Sequence, residues 1–226
     1  MDHPEILNTD RKDMAPSQSD ALYHFTERGM RPHTKEARER LVNIAPTYPG
    51  RARAQAKLRS ILWDGKLMAT YQHGVQDGNG QRCACFTEAT DADLAYLMGP
   101  RRDYQPYAVV VSRSAVLCRG GGSVMYVLEE GDAHLGLRQQ RLGHLAVPTN
   151  GGNDWTWERE WRMPAFRTSE WVGISTVVKA IVIGDASWRP VNKEGELPQL
   201  WLKSPIWVWD AATKTLDRSN TAGAWL

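Results

Sequence analysis

Two carboxylates stand two residues apart in a short, aromatic and heavily charged stretch at 154–164. Side chains alternate between the faces of a β-strand, so Glu158 and Glu160 would share one face and Arg159 the other. Such a pair can divide labour, because one acid can stabilise a developing cation while the other accepts a proton. The alternative is two surface acids with Arg159 and Arg162 as neighbours, since this spacing is common.

The first strand-like run, residues 22–26, carries a second candidate site. Alternation places Tyr23 and Phe25 on one face and His24 and Thr26 on the other. A His beside a Thr can hydrogen-bond a ligand hydroxyl. The alternative is a satisfied core histidine, as a lone His often is.

The cysteine and glycine patterns do not predict a metal site or a phosphate-binding loop. Cys83 and Cys85 could form half a metal site with His73 or Cys118, but zinc ligands usually come in wider-spaced pairs, and no second pair exists. We therefore expect buried thiols and no metal. The glycines at 120–122 predict a turn, and neither a P-loop nor a dinucleotide-binding glycine motif is present.

The composition suits one domain. We predict a disordered tail over 1–20 and a single domain over 21–226, a chain of 226 residues that is 42% hydrophobic. The net charge of +2 implies no global field for nucleic acid or membrane, although the basic segment 27–59 could form a local phosphate-binding patch. With no signal peptide or membrane span expected, a cytoplasmic location is the simplest.

Periodicity and turn residues predict an α+β fold with a mostly antiparallel sheet decorated by helices. Predicted strands cover 22–26, 67–70, 82–88, 107–113, 123–128, the segment around Glu160, 177–184 and 200–209. Predicted helices cover 34–44, 51–63, 91–98 and 133–147. The turn at 119–122 predicts a hairpin between the strands on either side. Core packing is the expected role of Trp171, Trp188, Trp201, Trp207 and Trp209.

Four motifs follow one another in an order that resembles the ADP-ribosyltransferase fold. They are YHFT at 23–26, SILWDGKL at 60–67, CFTE at 85–88 and WTWEREWR at 155–162. The resemblance spans roughly residues 22–185, and the chain is most similar to bacterial DNA and RNA ADP-ribosyltransferase toxins of toxin–antitoxin and phage-defence systems. It implies a split β core that binds NAD as co-substrate.

The resemblance also implies roles for individual residues. Glu160 becomes the catalytic acid and Glu158 the acid on the substrate side, while His24 anchors the NAD ribose. The other implied NAD-binding residues are Tyr23, Thr26, Phe86 and Thr87. The loop 148–157 becomes the substrate-recognition loop, with Asn153, Trp155 and Trp157 at the acceptor. The middle motif departs from the family pattern, because Cys-Phe-Thr stands where the family has Ser-x-Ser. The role of Thr87 therefore follows from its position in the motif and not from its residue type.

The acceptor remains open at this level. Trp155 and Trp157 could stack on exposed bases and the basic segment could hold phosphates, which favours single-stranded DNA or RNA. A protein arginine acceptor is the alternative that the Glu-x-Glu pair allows in related toxins. A non-catalytic module that binds a nucleotide or partner is the alternative of another class. A toxin would further imply an antitoxin protein as partner.

Overall fold

The computed structural model describes residues 19–26, 50–71, 81–98, 104–128, 142–149, 159–166 and 169–219. The strands are β1 (Ala21–Phe25), β2 (Lys66–Met68), β3 (Cys83–Glu88), β4 (Ala108–Ser112), β5 (Gly122–Ser123), β6 (Met125–Leu128), β7 (Ala146–Thr149), β8 (Glu160–Pro164), β9 (Trp171–Gly173), β10 (Val178–Ile183), β11 (Ile206–Asp210) and β12 (Thr215–Asp217). The α-helices are α1 (Gly50–Asp64), α2 (Asp91–Leu97), α3 (Arg113–Cys118) and α4 (Gln199–Lys203), and a 3₁₀ turn covers Gly143–Leu145. The predicted helix at 34–44 and nearly all of the predicted tail lie outside these ranges.

An eight-stranded mixed sheet organises the described chain, in the order β12-β11-β10-β4-β1-β3-β8-β5. Neighbouring strands run antiparallel except β10 and β11, which run parallel. Two smaller pairs accompany the sheet, β2 with β9 antiparallel and β6 with β7 parallel. The α+β class is therefore confirmed, with a sheet that is mixed and mainly antiparallel.

Each face of the sheet covers its own hydrophobic core. The first core joins the sheet to Leu58 and Leu62 of α1, Leu67 of β2, Val172 of β9 and Trp201 of α4. Alternation along the strands supplies its inner wall, because every second side chain points to the same face.

The second core lies on the opposite face. It includes Tyr23 of β1, Leu94 of α2, Tyr104, Trp209 of β11 and Leu216 of β12. Leu22, one residue before Tyr23, belongs to the first core. The predicted alternation of the first strand is thus confirmed.

Local sequence chemistry explains the limits of α1 and α2. Ala54, Leu58 and Leu62 recur every four residues and are buried, and Gly65 ends α1 with a φ of +64°. At α2 the Thr90 side chain accepts from the backbone N–H of Asp93, whose carboxylate accepts from the Thr90 N–H. This capping box starts the helix where the sequence predicts it.

The predicted hairpin between 107–113 and 123–128 is wrong. β4 pairs with β1 and β10 instead. Ser112 ends β4 and accepts a hydrogen bond from the N–H of Ala115 at 3.1 Å, which caps α3. The glycine turn follows this helix and leads into β5, which pairs with β8.

Two further predictions need correction. Residues 143–145 form a 3₁₀ turn and Val147 lies in β7, so the helix predicted to run through 147 is wrong there; residues 133–141 lie outside the described ranges. The predicted strand 200–209 is two elements, because α4 ends before Ser204 and β11 begins at Ile206.

The tryptophan predictions are mostly confirmed. Trp201, Trp207 and Trp209 are buried, and Trp188 packs partly against the first core. Trp171 is 42% exposed, so its predicted core role is wrong. In the described ranges no helix has the length and apolar character to cross a membrane.

Candidate functional site

The three strands that carry the first, third and fourth motifs are consecutive neighbours in the sheet. β3 lies between β1 and β8. Tyr23 pairs with Thr87, and Thr87 pairs with Glu160. Directly paired residues point to the same face of a sheet, so these three form one row on the face of the second core.

The pairing between β1 and β3 stops early. It includes Leu22 and Tyr23 only, whereas β1 stays paired with β4 as far as Phe25. Just beyond Tyr23, the Nδ1 of His24 lies 2.8 Å from the carbonyl oxygen of Cys85 in β3. A side chain thus replaces the backbone ladder at the point where the two strands separate.

The environment of His24 selects its chemical form. Burial lowers the pKa of this imidazole, the Cys85 hydrogen bond opposes that shift, and the positive charge of Lys57 adds to it. A neutral ring can bond a carbonyl only by donating, so Nδ1 carries the proton. The Nε2 lone pair is then an acceptor that a ribose hydroxyl could use.

The register separates His24 from Glu160. His24 pairs with Val109, a residue of the first core, and its ring packs edge-on against Phe86 at 5.7 Å. Glu160 belongs to the row on the opposite face. Two strand spacings lie between β1 and β8, about 10 Å, so a ligand touching both side chains must span the separation of β1 and β3.

The carboxylate of Glu160 is held by its neighbour two residues on. Arg162 donates from Nε to one carboxylate oxygen at 2.8 Å and from Nη2 to the other at 3.3 Å. Its Nη1 donates to the carbonyl of His144 at 2.9 Å. The side chain of Arg162 is 4% exposed and that of Glu160 is 16% exposed. Glu160 is therefore fixed in orientation but still touches solvent.

The backbone changes conformation directly before Glu160. Arg159 has a φ of +40°, in the left-handed region that residues with a side chain rarely adopt. Its guanidinium lies 3.2 Å from Asp93, beside the capping box of α2. Strand alternation therefore does not pass through Arg159, and the predicted shared face of Glu158 and Glu160 does not follow from a continuous strand.

Three of the predicted NAD-binding side chains serve the fold itself. Tyr23 and Phe86 are 1% and 2% exposed and lie in the two cores. The Thr26 hydroxyl is 3.0 Å from the carbonyl oxygens of both Ala54 and Tyr107 and ties β1 to α1. These three offer no side-chain surface to a ligand in this structure.

Thr87 and His24 are the two half-buried members of the predicted NAD set. Thr87 lies next to Glu160 in the paired row, whereas His24 lies at the separation of β1 and β3. Of the predicted NAD-binding side chains, these two could contact a ligand in this structure.

Four predicted site residues lie outside the described ranges: Asn153, Trp155, Trp157 and Glu158. In the ranges that the structure does describe, no group of three His, Cys, Asp or Glu side chains could hold a metal ion. No disulfide joins Cys83, Cys85 and Cys118. Cys83 is buried as predicted, Cys85 is half-buried and Cys118 is exposed.

One hydrogen-bond network beside the site was not predicted from the sequence. Glu88, at the end of β3, accepts from Arg113 at 2.6 Å and from the indole N–H of Trp161 at 2.9 Å. Arg113 also lies over the Trp161 ring, 5.2 Å from its centre. The available signal was an acid at the end of a buried strand, because a buried carboxylate needs partners.

The chain was compared with known protein families, curated proteins and solved structures. No protein-family model, no curated protein and no solved structure matches the chain.

Proposed function

We propose that this protein is an NAD-dependent mono-ADP-ribosyltransferase, a toxin or phage-defence effector of the cytoplasm, that modifies single-stranded DNA or RNA. The observation that carries the proposal is the adjacency of β1, β3 and β8, the strands with three of the four resembling motifs. In this proposal NAD enters beside His24, where the backbone pairing of β1 with β3 ends.

The proposed reaction needs no covalent bond between the enzyme and its substrate. The bond between the ribose C1′ and the nicotinamide nitrogen breaks, its electron pair leaves with nicotinamide, and positive charge develops on the ribose. A carboxylate at the ribose 2′-hydroxyl stabilises that charge more in the transition state than in the ground state. Glu160 takes this role, and the acceptor atom then attacks C1′ and loses its proton to solvent or to Glu158.

The roles of His24 and Thr87 follow from their positions. The free Nε2 of His24 accepts a hydrogen bond from a ribose hydroxyl. Thr87 contacts the ligand beside Glu160. Because His24 and Glu160 lie on opposite faces, the two ends of NAD are held by different residues, with the dinucleotide passing between β1 and β3.

Arg162 sets the condition for catalysis by Glu160. Its guanidinium neutralises much of the negative potential that the carboxylate would present to a cation. Productive binding therefore requires the ligand to reach the solvent-exposed edge of Glu160, or Arg162 to release one of its two contacts.

Labelled NAD tests the proposal directly. We would incubate a cell lysate with label and either the wild type, Glu160→Gln, or the control Glu194→Gln, which changes an exposed acid away from the candidate site. We expect label on macromolecules with the wild type and the control, loss in Glu160→Gln, and removal by nuclease. Label removed by protease would instead establish a protein acceptor, and no label with no nicotinamide release would refute a transferase.

A second candidate is a non-catalytic module that binds a nucleotide. The observation in its favour is that Arg162 occupies both oxygens of Glu160. This candidate predicts calorimetric binding of NAD without nicotinamide release, and unchanged affinity in Glu160→Gln. Nicotinamide release by the wild type would exclude it.

An antitoxin partner follows from the toxin proposal alone. We expect a neighbouring gene product to co-purify with the chain and to suppress toxicity on co-expression. Harmless expression of an active wild type without any partner would contradict this expectation.

A further inference from the structure

The small sheet formed by β2 and β9 has one buried and one exposed face. Leu67 and Val172 pair with each other and point into the first core. Met68 and Trp171 also pair, and they are 61% and 42% exposed. The outward face therefore presents a thioether and an indole ring to solvent.

Two pairs of a cation and an aromatic ring lie at this small sheet or directly beside it. The ammonium of Lys66 is 4.8 Å from the centre of the Trp171 ring, and the guanidinium of Arg82 is 4.5 Å from that of Tyr71. Tyr71 is 51% exposed. We name these four residues and Met68 the aromatic strip. Both rings are partly exposed, so each pair presents aromatic surface to a base and a cation to a phosphate.

Gly173 adds no side chain to the outward face beside Trp171. A Cβ built at Gly173 would meet no described atom within 4 Å, so the described residues do not cover the backbone there. Arg119 extends the strip at this end, because its guanidinium donates to the carbonyl of Gly173 and to the Thr176 hydroxyl.

The charge of the strip favours an anionic partner. Lys66, Arg82 and Arg119 bring three positive charges, and the carboxylate of Glu170 pairs with Arg82. Within the described residues, Lys66 has no carboxylate partner, so its charge is available to a ligand.

We propose that the aromatic strip is a binding surface for single-stranded nucleic acid. Bases stack on the exposed faces of Trp171 and Tyr71, and phosphates lie against Lys66, Arg82 and Arg119. A single strand fits better than a duplex, because its bases are free to stack on aromatic side chains.

The strip is separate from the candidate active site. Thr70 bridges to Cys83 at the start of β3, whereas Thr87 and Glu160 pair near the end of that strand. Four residues of extended chain separate these positions, about 13 Å. The proposal deepens the proposed function by giving the acceptor strand a docking surface, and rests on that function only for the choice of nucleic acid as partner.

Fluorescence anisotropy with a labelled oligothymidylate tests the strip without requiring catalysis. We expect Trp171→Ala to bind about 5- to 150-fold more weakly, the range for one lost base stack, and Trp171→Phe to keep most of the affinity. Lys66→Gln should lower the slope of log affinity against log salt by about 0.7, the value for one phosphate contact with a single strand.

Two matched control variants test whether the changes in binding are specific to the strip. Trp63→Ala removes a tryptophan of similar exposure, 40%, whose indole N–H bonds the Pro190 carbonyl. Lys179→Gln removes a lysine of β10 that pairs with Asp20. Both should bind like the wild type, and thermal melting should show that Trp171→Ala remains folded.

The outcomes separate this proposal from the transferase. Unchanged binding in Trp171→Ala, an equal loss in Trp63→Ala, or no binding by the wild type would overturn the strip. A protein partner isolated on the strip together with no oligonucleotide binding would overturn it in the same way. Binding that Glu160→Gln retains and Trp171→Ala loses would support the strip, even if labelled NAD shows no transfer at all.

Discussion

Breaking the pair of Glu160 and Arg162 should cost stability by an amount that the structure sets. Removing one partner of a fully buried ion pair costs about 3–5 kcal/mol, and the 16% exposure of Glu160 moves the expectation to the low end. Glu160→Gln keeps an amide oxygen for one N–H of Arg162, so we expect a loss of about 2 kcal/mol. Arg162→Met also deprives the His144 carbonyl of its donor, so we expect about 3 kcal/mol.

Urea unfolding followed by tryptophan fluorescence measures both losses and their coupling. The midpoint should fall while the denaturant slope stays constant. The double variant Glu160→Gln/Arg162→Met should be less destabilised than the sum of the single variants, by about 1–2 kcal/mol. A coupling below about 0.5 kcal/mol would refute the ion pair as a contributor to the fold in solution.

The expected loss of stability in Glu160→Gln is too small for unfolding to explain a loss of activity. Single domains unfold with about 5–15 kcal/mol, so a loss of about 2 kcal/mol leaves a folded excess of at least about 150 to one. A loss of transfer greater than tenfold in Glu160→Gln therefore reports on chemistry and not on unfolding.

Three further outcomes follow from single contacts. By ¹H NMR titration the imidazole of His24 should protonate below the ordinary value of about 6.5, because burial lowers its pKa; its contribution to stability is then present above about pH 6.5 and is lost as the pH falls, whereas a midpoint above that value would contradict the buried neutral ring. Glu88→Ala should lower the free energy of unfolding by about 3 kcal/mol, since it removes the buried carboxylate that accepts hydrogen bonds from Arg113 and from the indole of Trp161; a loss under about 1 kcal/mol in urea titration would mean that the network contributes little. Gly121→Ala should cost about 2 kcal/mol in the same assay, because its methyl group would lie 2.3 Å from the Arg162 carbonyl oxygen; a variant as stable as the wild type would show that this backbone yields freely.

Elements with continuous local patterns were predictable from sequence. α1 combines a recurrent apolar stripe with a glycine stop at Gly65. α2 begins at a Thr90 cap, and β10 is a run of β-branched and aliphatic residues. In each case the chemistry that starts, stops or buries the element lies within the element and its flanks.

Two short apolar elements that follow one another closely were not predictable in the same way. Residues 200–209 are apolar on both sides of Lys203, Ser204 and Pro205, and α4 and β11 divide at this interruption. Short apolar runs suit a buried helix and a buried strand equally well. The β4 error has a related cause, since Ser112 both ends a strand and caps a helix.

The candidate site divides along similar lines. The sequence named Arg162 only as a neighbour of two surface acids. It pairs with Glu160 because residues two apart share a strand face, and the burial of this pair was not predicted. The positions of His24 and Glu160 on opposite faces could not be read from local sequence. They depend on the register of β1, β3 and β8, which contacts between distant parts of the chain determine.

The place of β1 inside the sheet has a consequence during synthesis. Its partners β3 and β4 follow it at a distance, and β4, the later of the two, ends 87 residues after β1 (112 minus 25). At roughly 5–20 residues per second, a ribosome needs about 4–17 s to make that stretch. A buried, apolar strand therefore waits with unpaired edges while its partners are made, and such long-range pairing also makes folding slow. Chaperone capture of the emerging N-terminal half should accordingly govern how much active protein a cell obtains.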